Sequence, residues 1–133
     1  MNDNYDNYLE TIENENLLKS VNGAPDEEIQ KIEKNMGVIF ASDYREFLSK
    51  IGACIINGHE IVGICEFSDM CVENVTSIVR QQEKIIPAGL YVVENANIDG
   101  IVIWQDSTGT IYQTSPGKQP TRICDSLEEY IKK

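Results

Sequence analysis

Up to about residue 52 apolar positions recur at helical spacing, and from Ile55 the period shortens towards two. Tyr5, Tyr8, Leu9 and Ile12 form one face of a first helix whose other face is Asp, Glu and Asn. Asn22-Gly23 is a turn signal, and Pro25 suits the first position of a second helix. Asp26, Glu27 and Glu28 then fall where the helix dipole favours negative charge, Ile29, Ile32 and Met36 supply the apolar stripe, and Gly37 ends it. In SDYREFLSKIG, Tyr44, Phe47, Leu48 and Ile51 share a third helical face, with Ser42 able to cap its start and Gly52 to end it.

CIINGHEIVGI reads as two short strands about Asn57-Gly58, a strong hairpin signal. Residues 66–73 are acidic and irregular. Val75, Ile78 and Val79 predict a helix that ends near Pro87. LYVVENA and IVIWQ predict strands, and Asp106 to Gly109 a turn into a strand at TIYQT. Asp125 with Glu128 resembles a capping box for a last helix whose apolar face is Leu127, Tyr130 and Ile131. Helices first, then an antiparallel sheet, then a helix predict an α+β fold rather than repeated βαβ units. A single domain over residues 1–133 is expected, with an acidic N-terminal helix in 1–23 and the main body in 24–133.

Charge narrows the function classes. The 22 acidic and 11 basic residues leave a net of −11, and residues 1–69 carry most of it. Phosphate backbones and anionic membranes would be repelled by such a surface, whereas a basic protein partner would be steered towards it. Solubility alone is the plainer reading of the same charge. No apolar run approaches the ~18 residues of a membrane span. The opening MNDNYDNYLE has neither the basic nor the apolar part of a secretory leader, so a cytoplasmic location is expected, with free thiols at Cys54, Cys65, Cys71 and Cys124.

Catalytic chemistry finds little support. The one histidine, His59, stands beside the Asn57-Gly58 turn and has no motif relation to any cysteine. Cysteine spacing fits no metal pattern, so the thiols read as small core residues. Asp99 and Asp106 could meet across a hairpin as an acid pair, yet both stand where turns favour Asp. There is no phosphate loop and no serine-nucleophile motif. Neither an enzyme, a cofactor nor a metal site is expected. Trp104 lies on a strand apolar on both faces, which fits either a covered central strand or an aromatic platform extended by Tyr112.

The ordered run PDEEIQKIEKNMGVIFASDYREFLSKIG resembles the N-terminal signature of the SUKH superfamily, the Smi/Knr-like domain. Ile29 and Ile32 match its first helix, Gly37 its stop, and Asp43, Tyr44, Phe47 and Leu48 its second helix. GHEIVGI, NVTSIVRQQEK, PAGLYVVEN and DGIVIWQDSTGTIYQ follow in the family's order, so the resemblance covers residues 24–133. Phe40-Ala41 stands where the family usually has Leu-Pro.

The resemblance implies an α+β domain with a mainly antiparallel sheet. For bacterial members it implies an immunity protein that neutralises a cognate secreted toxin of the LXG polymorphic type, often a nuclease, by covering its active site. A regulatory adaptor that binds a cellular protein is the alternative from another class. On the immunity reading the candidate partner contacts are Glu60, Glu66, Asp69, Glu73, Trp104, Asp106 and Tyr112, chosen for charge or aromaticity near the sheet and its irregular connection. The expected partner is the toxin protein, with no direct nucleic-acid or membrane binding, and the chain itself a monomer or weak homodimer.

Overall fold

The computed structural model describes residue 5 and residues 7–11, 23–83, 85–96 and 98–132. Residues 7–11 are helical, and Tyr5 and Leu9 are buried in the core. The expected Ile12 and Asn22 positions lie outside the described residues. Helix α1 spans Asp26–Met36, with Pro25 as its N-cap rather than its first helical residue and Gly37 left-handed at its end. Helix α2 spans Ser42–Lys50. Its N-cap is Ala41, so Ser42 does not cap it. Tyr44, Phe47, Leu48 and Ile51 are all buried, which makes this helix part of the core rather than a surface.

Around them the aromatic rings form one cluster. Tyr44 stacks on Tyr91 at 5.1 Å and on Phe47 at 6.0 Å, and Phe40 meets Tyr44 and Tyr91 edge-on. Each buried hydroxyl finds a partner, as burial of a polar group requires. Tyr44 Oη donates to the Val62 carbonyl at 2.7 Å, and Tyr91 Oη accepts from Ala41 N and donates to Gln105 Oε1.

Strands β1 (Cys54–Ile56) and β2 (His59–Ile61) form the expected hairpin, with Asn57 and Gly58 both at positive φ in a two-residue turn. The Asn57 side chain donates to the Ile131 carbonyl at 2.9 Å and so ties this turn to the C-terminal helix. A 3-10 turn, Ser68–Met70, leads into helix α3, Val72–Gln82. A four-stranded antiparallel sheet follows in the order β3 (Tyr91–Asn95), β4 (Val102–Gln105), β5 (Ile111–Thr114), β6 (Thr121–Cys124). Strand β6 was not expected, because Thr-Arg-Ile-Cys offers one large apolar side chain and no alternation. The α+β class stands as read.

A bulge at Val93 shifts the register between β3 and β4 and frees the Val93 carbonyl to accept from Val62 N at 2.9 Å. That bond carries the hairpin onto the edge of the larger sheet. Helix α3 packs across the same strand: Thr76 Oγ1 accepts from Val92 N, and Arg80 donates to the carbonyls of Ile86, Pro87 and Leu90 beneath its contact with the Trp104 ring. Helix α4, Leu127–Ile131, is capped by Ser126, whose Oγ accepts from Glu129 N at 3.1 Å, one residue later than the Asp125 cap expected. Asp43 helps from α2. Its carboxylate accepts from Leu127 N at 2.7 Å and from Gln105 Nε2 at 2.9 Å, joining three elements.

Candidate functional site

Helix α3 buries Val72, Val75, Thr76 and Val79 and turns Ile78 outward, 55% exposed. The expected apolar face was therefore rotated: positions 72, 75, 76 and 79 are the stripe, and Ile78 stands at its edge. Beside Ile78 runs a groove of about 410 Å³ between α3, the 3-10 turn and the ends of β2 and β3. Val62, Met70 and Val75 contribute to its floor, and Glu60 and Asp69 stand at its rim. No Lys or Arg lines it among the described residues. A second groove, about 540 Å³, lies on the other flank of α3 and includes Glu73 and Arg80. Ser77 lines both, so the outer face of α3 is a ridge between two depressions.

The seven predicted contacts divide accordingly. Glu60 and Asp69 come together at the first groove, Glu73 lies across the helix at the second, and Glu66 is exposed on the connection that precedes the 3-10 turn. Trp104 is corrected. It is 0% exposed in the core, its Nε1 donates to Thr114 Oγ1 at 2.9 Å, and so it presents nothing to a partner. Burial follows from its place on a central strand covered on both faces. Asp106 and Tyr112 form a separate pair at the turn between β4 and β5, where Tyr112 Oη donates to Asp106 at 2.9 Å. Sequence reasoning missed Ile78, although the helical wheel of α3 carried the signal.

Asp106 is a turn residue in its other bonds too. Its carboxylate also accepts from Thr108 N, Thr108 Oγ1 and Thr110 N. Burial alone would raise its carboxyl, but the hydrogen bonds from Thr108, Tyr112 and Thr110 outweigh it and hold the group below the ordinary carboxylate value. A depressed folded value means that the stabilisation is present above the unfolded value near ~3.9 and is lost as pH falls through the folded one. Tyr112→Phe is expected to cost about 0.5–1 kcal/mol at neutral pH and to flatten the acid-side decline. Urea unfolding of both proteins at pH 7 and pH 3 tests this; an equal acid-side decline in the variant would show that Tyr112 does not hold the carboxylate.

His59, beside the Asn57-Gly58 turn, faces inward. It is half-buried, its ring tilted at 43° to that of Tyr130 with centroids 4.6 Å apart, and its Nδ1 lies 3.0 Å from Glu94 Oε1. Glu94 is 6% exposed and also accepts from Tyr130 Oη and from Glu60 N. This is a structural hub in which every polar arm reaches a neighbour, except His59 Nε2, which has no hydrogen-bond partner among the described residues. Burial pushes the Cys54 thiol up to about 12 and the Cys65 thiol up to about 11, so neither rests as a thiolate at neutral pH. Cys65 and Cys71 are only half-buried, unlike Cys54 and Cys124, which corrects the expectation that all four are core residues.

A third, polar cleft of about 270 Å³ is lined by Asp43, Asp125 and Glu128. Among the described residues no group of three or more His, Cys, Asp or Glu side chains could hold a metal ion, and no helix is long and apolar enough to cross a membrane. Residues 26–131, about four-fifths of the chain, match the family model SUKH_6, described as SMI1-KNR4 cell-wall. No curated protein matches the chain.

Proposed function

The chain belongs to the SMI1-KNR4 (SUKH) family, and we propose that it serves as a cytoplasmic immunity protein that binds one cognate toxin and covers its active site. The observation that carries this reading is the groove beside α3. Its apolar floor, the outward Ile78 and an acidic rim free of Lys and Arg among the described residues combine what an interface core and a steering field each require. A toxin domain with a basic active-site surface, such as a nuclease, is complementary to that arrangement. The net charge of −11 raises its encounter rate and lets carboxylates occupy the places of the phosphates they displace. No bond is made or broken in this role, in keeping with a family whose members are generally non-catalytic.

Growth tests the reading directly. Cells that express a toxin encoded beside this gene should survive when this protein is co-expressed and die when an immunity protein from another locus replaces it. Glu60→Lys with Asp69→Lys should slow association about tenfold at low salt and weaken the salt dependence. Continued killing despite good soluble expression would overturn the pairing and move the adaptor reading to the front.

A further inference from the structure

We propose that Cys65 and Cys71 are a disulfide-forming pair, a modification site for small-molecule disulfides that brackets the segment forming one wall of the acidic groove. The chain between them doubles back. Gly63 N donates to the Met70 carbonyl and Val72 N to the Gly63 carbonyl, both at 2.8 Å, which lays Cys71 beside Gly63 in a single parallel bridge. Cys71 Sγ then lies 2.8 Å from the Cys65 carbonyl and 3.2 Å from the Phe67 carbonyl. Cys65 Sγ reaches that same Phe67 oxygen at 3.6 Å. Two sulfurs crowd one acceptor, and the bonds they would give up are weak thiol donors.

Access separates this pair from the other two thiols. Cys65 and Cys71 are half-exposed, whereas Cys54 and Cys124 are buried. Burial above all raises the Cys65 thiol to about 11, with the Phe67 backbone bond acting against it, and we assign Cys65 the second, resolving step.

With glutathione disulfide, the Cys71 thiolate attacks one sulfur, the S–S bond breaks, and one glutathione leaves with the electron pair. Cys65, losing its proton, attacks the Cys71 sulfur of the mixed disulfide and expels the second glutathione. Two protein thiols are oxidised to one disulfide, and one glutathione disulfide is reduced to two glutathiones. So short a ring draws little loop entropy from the unfolded chain, which leaves the bond readily reversed in a reducing compartment. Ser68, Asp69 and Met70 lie between the two cysteines and line the groove, so oxidation closes a ring around that wall.

The test needs no partner. Reduced full-length protein is treated with glutathione disulfide, free thiols are alkylated, and the intact mass and thiol-containing peptides are measured. The expected product has lost two hydrogens and joins Cys65 to Cys71, at least about tenfold sooner than Cys54 or Cys124 reacts. Cys65→Ser should instead hold glutathione on Cys71. A lasting glutathione adduct on Cys71 in the wild-type chain, links between chains, or equal reaction at all four thiols would each overturn the assignment.

Discussion

Glu94→Ala is expected to lose about 3–5 kcal/mol of folding stability, because three buried hydrogen-bond donors lose their acceptor at once. The reason lies in what the carboxylate holds. One oxygen takes the Tyr130 hydroxyl from α4 and His59 Nδ1 from the hairpin, at 3.0 Å for the imidazole, and the other takes Glu60 N at 2.7 Å. Alanine leaves three donors behind in a site 6% exposed, and each orphan costs its own desolvation of roughly 1–3 kcal/mol where water cannot enter. The loss of the buried charge returns part of that, which is why the sum is smaller than three full penalties. Against a typical total stability of ~5–15 kcal/mol, such a change approaches unfolding for a marginal domain. Glu94→Gln keeps the shape and one acceptor oxygen but turns an NH2 group towards donors, so it should fall between the two. Urea midpoints with unchanged slopes are the measurement. A loss below about 1 kcal/mol for alanine would mean that desolvating the carboxylate cancels the bonds it makes.

The same hub explains how the groove is held. Glu60 stands at the rim, and its backbone N–H is one of the three donors fixed by Glu94. A rim carboxylate on a two-residue hairpin would otherwise sample many positions and lose part of its steering effect to disorder. Here the strand that bears it is tied to β3 twice, by the Glu94 carboxylate and, two residues on, by the Val62–Val93 bond at the bulge. Stability and the candidate interface are therefore coupled through one buried side chain.

Local rules were enough for the elements whose signal is local. The spacing of Tyr44, Phe47, Leu48 and Ile51, the left-handed stop at Gly37 and the Asn57-Gly58 turn each act within one element, and each appears where the pattern put it. Strand β6 failed because Thr-Arg-Ile-Cys carries no alternation; pairing to β5, including Ile111 opposite Cys124, makes it a strand. Asp43 and Glu94 read as ordinary acids, since their meaning depends on Leu127, Gln105, Tyr130 and His59, residues 35 or more positions away. The groove was half legible. Charge selected Glu60 and Asp69, but only the fold places them around Ile78, and selection by aromaticity wrongly gathered Trp104, whose strand lies inside.

Gly63→Ala is expected to destabilise the chain by about 3 kcal/mol or more, at or beyond the upper end of ordinary overpacking. This glycine is not needed for a positive φ but for a close approach between two backbones. A Cβ there would lie 1.6 Å from the Gly52 carbonyl oxygen and 2.9 Å from Leu48 Cδ2. Neither neighbour can withdraw cheaply. Gly52 O already accepts from Ile64 N at 2.9 Å, Gly52 N donates to the Phe47 carbonyl, and Leu48 is in the core. Gly63 itself is fastened through its own N–H and carbonyl to Met70 and Val72. Relief of the clash must part the α2 terminus from the start of the 3-10 connection, and with it the wall that carries Asp69. Gly89→Ala is the comparison, because its Cβ would meet nothing within 4 Å and only its φ of 91° resists substitution, at roughly 1–2 kcal/mol. Urea unfolding of the two variants side by side separates contact from backbone strain. A Gly63→Ala loss no larger than that of Gly89→Ala would mean that the two backbones move apart freely, and that the groove wall is not anchored to α2.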